Sequence, residues 1–202
     1  MIRRLPITRA YRTLKRAQAG VAAIEFAFIA PVFFLILTSV ISIYAQGTAQ
    51  REVQQTTAAL SDVASRYVFM DDERVTALGA SAEALLQSTP SVSDIRLAVA
   101  SFHNPQGANG FEYATLWSET YGGAATITDS EIQGALEQGN QDFGAHWLIS
   151  TNDTMLFMRI EAKFESPYGI PGLNNEQTIV RNAWVLPRYT KSIEYREVEA
   201  AG

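Results

Sequence analysis

The chain has 202 residues, 47% hydrophobic and 18% charged, which allows one ordinary domain plus an appendage. It contains no cysteine, so disulfides and thiolate chemistry are excluded, although the compartment is not thereby assigned. The net charge of −5 hides an asymmetry: six of the 16 cations (Arg3, Arg4, Arg9, Arg12, Lys15 and Arg16) lie in residues 1–20, leaving ten against 21 acids, or −11, for the remainder.

Residues 1–20 form a basic leader with no acid. A nucleic-acid-binding tail is the competing reading of such a segment. Cations directly beside an apolar run favour a topological role instead, holding that end in the cytoplasm, and no nucleic-acid partner is expected.

The run that follows is apolar from residue 21 to residue 44. Phe26–Ile43 is eighteen residues without a charge. At about 1.5 Å per residue, Val21–Tyr44 makes a helix of roughly 36 Å, long enough for a bilayer core. A cleaved secretory signal is the alternative, with a weak small-residue site at Ala45-Gln46-Gly47, but such signals have shorter apolar regions. Pro31 lies inside the span and predicts a kink or a point of local unwinding. Ala22, Ala23, Ala27 and Ala30 permit close helix approach. One acid, Glu25, stands at the head of the run, where a carboxylate is costly and therefore a functional-site candidate.

The segment Gly20-Val21-Ala22-Ala23-Ile24-Glu25-Phe26, followed by Ala27-Phe28-Ile29-Ala30-Pro31 and an aliphatic-aromatic run, resembles the TadE/TadF-like pseudopilins of bacterial tight-adherence (Flp-type) pilus systems. The resemblance implies cleavage by a prepilin peptidase between Gly20 and Val21, with Glu25 as fifth residue of the product. It further implies a pilin-like fold, and as partners that peptidase, other pilin subunits and the pilus assembly platform. It places the chain in the bacterial inner membrane, single-pass, with the leader cytoplasmic and the remainder periplasmic. The new α-ammonium on Val21 would lie one helical turn from Glu25, and a paired charge is tolerable in low dielectric where a lone one is not. Glu25 and Phe26 are thus the expected assembly residues.

Residues 45–67 continue the helix as a stalk, with Ala45, Ala49, Val53, Leu60, Ala64 and Tyr67 as a thin apolar stripe. Residues 68–190 read as an exterior α+β domain. Asp71-Asp72-Glu73 opens a helix that buries Val75, Leu78, Ala82, Leu85 and Leu86 and stops at Ser88-Thr89-Pro90. A metal site at the acidic triplet lacks further ligands at suitable spacing. Ile95, Leu97 and Val99 alternate with Asp94, Arg96 and Ala98 in one strand, and Phe111, Tyr113, Thr115 and Trp117 mark a second beyond the turn-rich His103–Gly110. Thr128-Asp129-Ser130-Glu131 has capping-box spacing and opens a short helix closed by Gly139-Asn140.

A third strand sets Leu156, Met158, Ile160, Ala162 and Phe164 against Arg159, Glu161, Lys163 and Glu165, predicting one buried and one solvated face. After the loop Pro167–Gly172, Thr178–Arg188 forms a last strand with Val180, Trp184 and Leu186 on one face. The charged tail, residues 191–202, is expected to fray. The fold class is therefore α+β: a long N-terminal helix on a mostly antiparallel sheet of about four strands, with two short helices.

No catalytic constellation emerges. His103 and His146 lack companion ligands, there is no nucleophile elbow or phosphate loop, and Trp117, Trp147 and Trp184 suit core or interface duty. Asn152-Asp153-Thr154 fits a glycosylation acceptor by pattern alone. No metal and no cofactor is expected. A non-enzymatic pilus subunit is the leading expectation. An uncleaved, signal-anchored periplasmic binding protein is the alternative.

Overall fold

A long stretch whose glycines and prolines are limited to Gly20, Pro31 and Gly47 folds as one helix. The computed structural model describes residues 7–89, 91–105, 113–138, 153–168 and 175–197. Helix α1 spans Ile7–Ala64, 58 residues, and stays helical across Pro31. It thus starts within the leader, earlier than the expected Val21, and stops three residues short of Tyr67. The stop is a tightened final turn, in which the Arg66 and Tyr67 amides donate to the Val63 and Ala64 carbonyls, each at 3.1 Å.

Beyond α1, strand β1 (Phe69–Met70) leads into helix α2 (Asp72–Leu86). Asp71 caps α2: its carboxylate accepts from the Arg74 amide at 2.9 Å, while Asp72 and Glu73 place negative charge at the positive end of the helix dipole. Val75, Leu78, Ala82 and Leu86 are buried as the spacing predicts. Leu85 is not; it is half exposed, because residue 85 turns out of the narrow stripe that meets the sheet.

Strands β2 (Val92–His103), β3 (Ala114–Tyr121), β4 (Thr154–Glu165) and β5 (Glu176–Val185) form one antiparallel sheet in the order β3-β2-β4-β5. The expected hairpin is β2–β3; its tip, including Phe111, lies outside the described residues. One face of the sheet presents Leu97, Val99, Leu156, Met158, Ile160, Ala162, Phe164 and Ile179. These pack with α1 through Ala49, Val53, Leu60 and Ala64, and with the buried face of α2, in a single core. Small and branched residues on α1 let the helix lie close to the strands. The α+β class and the four-stranded antiparallel sheet agree with the sequence reading.

The opposite face corrects it. Helix α3 (Asp129–Gln138) covers the far half of that face, burying Ala98, Ala100, Phe102, Ile127, Ile132, Met155 and Phe157 in a second core. Trp184 seals it, with ring centroids 4.2 Å from Phe157 and 5.6 Å from Phe102. Arg159, expected in solvent, is buried there. Its guanidinium donates to the Ala125 carbonyl at 2.6 Å and pairs with Glu131 and Glu161. Glu131 therefore does not close a capping box: its carboxylate is drawn to the buried cation instead. Val180 and Leu186, on the face assigned to the core, remain 41% and 36% exposed, since α3 does not reach them. Gly139 and Asn140, the proposed end of α3, lie outside the described residues, as do His146, Trp147, Asn152 and Gly169–Gly172.

The tail is also tied down as far as Glu197. Strand β6 (Glu194–Tyr195) pairs in parallel with β1, Ile193 is fully buried, and the Trp117 indole N–H donates to the Ile193 carbonyl at 2.7 Å. A two-residue strand is too short for alternation to reveal, so composition alone suggested fraying.

Candidate assembly and anchoring site

The helix α1 leaves the folded body at Ser42. The Ser166 hydroxyl donates to Ser42 Oγ at 3.0 Å, the Ser42 hydroxyl lies 3.4 Å from the Tyr168 carbonyl, and Gln46 bonds Gln177 just above. Further up, Arg181 reaches Gln50 at 3.1 Å, and Asp62 pairs with both Arg66 and Arg188. The Arg188 amide also donates to the Ser65 carbonyl at 2.8 Å. The stalk is thus bound along its length, while the segment below Ser42 has no hydrogen-bond or ion-pair partner among the described residues of the body.

In that free segment the large apolar side chains are exposed, from 37% at Ile41 to 76% at Phe28. The length from Val21 to Ile41 is about 31 Å, close to the roughly 30 Å of a bilayer's hydrocarbon core. Hydroxyls within it are turned inward onto the helix. Thr38 donates to the Phe34 and Leu35 carbonyls at 3.0 Å each, and Ser39 to Leu35 at 2.7 Å, so neither needs an outside acceptor. Among the described residues one helix, Ala23–Ala64, contains a segment long and apolar enough to cross a membrane.

Gly20, Val21, Glu25 and Phe26 all lie on this continuous helix. Glu25 is exposed, one turn from Val21 and on its side of the helix, with no ion pair to any described residue. Phe26 is 70% exposed. The structure therefore brings the predicted residues together by sequence adjacency alone, at the far end of the helix from the body.

One surface feature escaped the sequence reading. On the uncovered half of the outer sheet face, Asp94, Arg96, Glu161, Lys163, Glu176, Gln177 and Thr178 line an open groove of about 340 Å³. It forms at a bulge between Ser93 and Arg96, where Asp94 adopts a positive φ of 48°. Arg96 donates to both Asp94 oxygens, at 3.2 and 2.6 Å, and this holds the Asp94 carboxyl below the usual carboxylate range. Glu176 and then Glu165 raise the Lys163 ammonium, from 3.1 and 3.2 Å. Glu161 pairs with Arg159 at 3.0 Å. Each charged side chain of the groove is thus engaged in an ion pair, Glu161 with the buried Arg159 beneath α3 and the others within the groove or at its edge. The alternation of charges along β4 was the available signal, but only the register with β2 and β5 assembles them.

Residues 20–61 match the family of TadE-like proteins. This region is TadE-like. The match starts at Gly20 and runs through the free segment and most of the stalk, ending three residues before α1 does. It ties the chain to the tight-adherence pilus system and agrees with the resemblance carried by Gly20–Pro31. The sheet and its covering helices lie beyond the match. Neither the curated proteins nor the solved structures contain a match to the chain.

Proposed function

We propose that this protein is a minor pilin-like subunit of a tight-adherence pilus, released from its leader by a prepilin peptidase and non-catalytic in itself. The observation that carries the reading is that Gly20, Val21 and Glu25 lie at the start of a lipid-length apolar segment of α1 whose large side chains are exposed. The basic leader stays cytoplasmic, the helix crosses the inner membrane, and the body faces the periplasm. Hydrolysis of the Gly20–Val21 bond leaves a carboxylate on the leader and an α-ammonium on Val21. That cation pairs with Glu25 of its own chain or of a neighbouring subunit, offsetting the cost of an acid near hydrocarbon. The other partners are further pilin subunits and the assembly platform, met through the faces that the body leaves free. Pro31 has no amide to give to the Ala27 carbonyl, so α1 is weakest there and is free to bend on entering a fibre.

Intact-mass measurement of protein extracted from membranes tests the processing step: the mature chain is expected to begin at Val21, and a chain that retains Met1 refutes it. For assembly, Glu25→Gln keeps the shape and removes the charge. Losing a charge-assisted contact of about 1.5–3 kcal/mol weakens subunit association by roughly 10- to 100-fold, with cleavage intact. Normal piliation in that variant removes the pairing argument.

A further inference from the structure

We propose that the lower end of the folded body rests on the bilayer, with Tyr168 and Tyr44 seated in the polar–apolar interface on opposite sides of the emerging helix. The inference rests on α1 spanning the membrane and extends that contact from the helix to the body. Tyr168 is 48% exposed, and its carbonyl lies 3.4 Å from the Ser42 hydroxyl, so it is level with the point where α1 leaves the sheet. Tyr44 is 75% exposed and two residues along α1 from Ser42; at about 100° per residue it points away from the side that meets Tyr168. With Val21 at the inner boundary, Tyr44 stands roughly 34 Å higher, a few ångströms past the hydrocarbon core, where tyrosine is enriched because its ring is apolar and its hydroxyl wet. The charges at this end do not oppose the contact. Lys163 is held by Glu165 at 3.2 Å and Glu176 at 3.1 Å, so none of the three meets the interface unpaired. Ser166 and Gln177 fasten this end to α1 through Ser42 and Gln46, which leaves the body little freedom to lift away.

The absence of cysteine makes single-site spin labelling direct. Full-length protein in phospholipid nanodiscs is labelled singly at Pro167→Cys, beside Tyr168, at Thr76→Cys, exposed on α2, and at Ile36→Cys within the span. Accessibility to oxygen and to a water-soluble nickel chelate then reports depth. Position 167 is expected to show a shift toward higher oxygen and lower nickel access than position 76. Tyr168→Ser abolishes that shift and Tyr168→Trp restores it. Equal aqueous access at positions 167 and 76, or an unchanged shift in Tyr168→Ser, overturns the proposal while leaving the span intact. Aqueous access at position 36 overturns the spanning helix and the proposal together.

Discussion

Replacing Gly79 by alanine is expected to destabilise the body, although alanine is the better helix former. Gly79 lies on the buried face of α2, against the ring of Tyr121 on β3. A Cβ there falls 2.2 Å from Tyr121 Cγ, 2.3 Å from Cδ1 and 2.7 Å from Cδ2. Ordinary carbon–carbon contacts begin at about 3.5 Å, so the ring has to retreat by roughly 1.3 Å. The nearest atom is Cγ, the root of the ring, which a ring flip leaves in place; clearing it takes a change of χ1, against the packing around Tyr121, or a shift of the strand. Overpacking of this kind costs about 1–3 kcal/mol, and a rigid neighbour puts it at the upper end. The gain in helix propensity returns about 1 kcal/mol. The net loss of about 2 kcal/mol corresponds to a fall of roughly 4–8 °C in Tm for a chain of this size. Thermal and urea unfolding of the full chain in detergent measure it. In a Tyr121→Leu background the penalty is expected to vanish, leaving the small helical gain. A Gly79→Ala protein as stable as the parent, with Tyr121 present, refutes the packing argument.

Gly122→Ala and Gly123→Ala separate strain from crowding, since both glycines have positive φ, 68° and 75°, but only a Cβ at 122 meets backbone, the Ile95 carbonyl at 2.7 Å. Each loses about 1–2 kcal/mol for the left-handed backbone, and Gly122→Ala is expected to lose more, as comparative urea midpoints will show. Arg159→Met removes the buried cation that draws α3 onto the sheet. Glu131 is 35% exposed and can rehydrate, so the loss is expected near 1–2 kcal/mol rather than the 3–5 typical of a stranded buried charge. Faster hydrogen exchange over residues 127–134 is the readout. Tyr195 donates to Asp72, and that bond, followed by burial, raises its pKa far above the ordinary value. The unfolded phenol loses its proton near pH 10, so this stabilisation is complete below about pH 10 and declines as pH rises further. Tyr195→Phe is expected to flatten the alkaline limb of a Tm-versus-pH curve.

The parts legible from sequence were those with a strong period or a local chemical rule. Eighteen uncharged residues announce a span whatever surrounds them. Asp71 ahead of Asp72 and Glu73 marks the start of α2 because capping is decided within one turn. The alternation of Leu156 to Phe164 identifies β4 as a strand with one face in the core. The misreadings share another cause: alternation divides a strand into two faces without saying what covers the second. Arg159 looked solvent-bound because arginine usually is, and only the distant Glu131 and Ala125 make its burial tolerable. The fate of residues 193–197 was hidden similarly, since what holds them is distant in sequence: the pairing with β1, the Trp117 indole and Asp72. At the candidate site the proximity of Gly20, Val21, Glu25 and Phe26 needed no tertiary fold to be read, because they sit within two turns of one helix.

The division of α1 at Ser42 links the two halves of this picture. From Phe26 to Ile41 the helix is uncharged and exposes its large apolar side chains, fit to be solvated by lipid or by other helices. Above it a stripe of Ala49, Val53, Leu60 and Ala64 is locked to the sheet, with polar fastenings at Gln46, Gln50 and Asp62. A displacement of α1 above Pro31 is therefore transmitted to the body as a rigid movement, and bending is left to Pro31, inside the span. In the proposed assembly this makes the position of Glu25 a ruler. If it meets the amino terminus of a neighbour, the four-residue step from Val21 to Glu25 sets the axial offset of adjacent subunits at about 6 Å. With the same bend at Pro31 in every subunit, that offset also separates their bodies, so one carboxylate near the start of the span fixes how the sheets stack above the membrane.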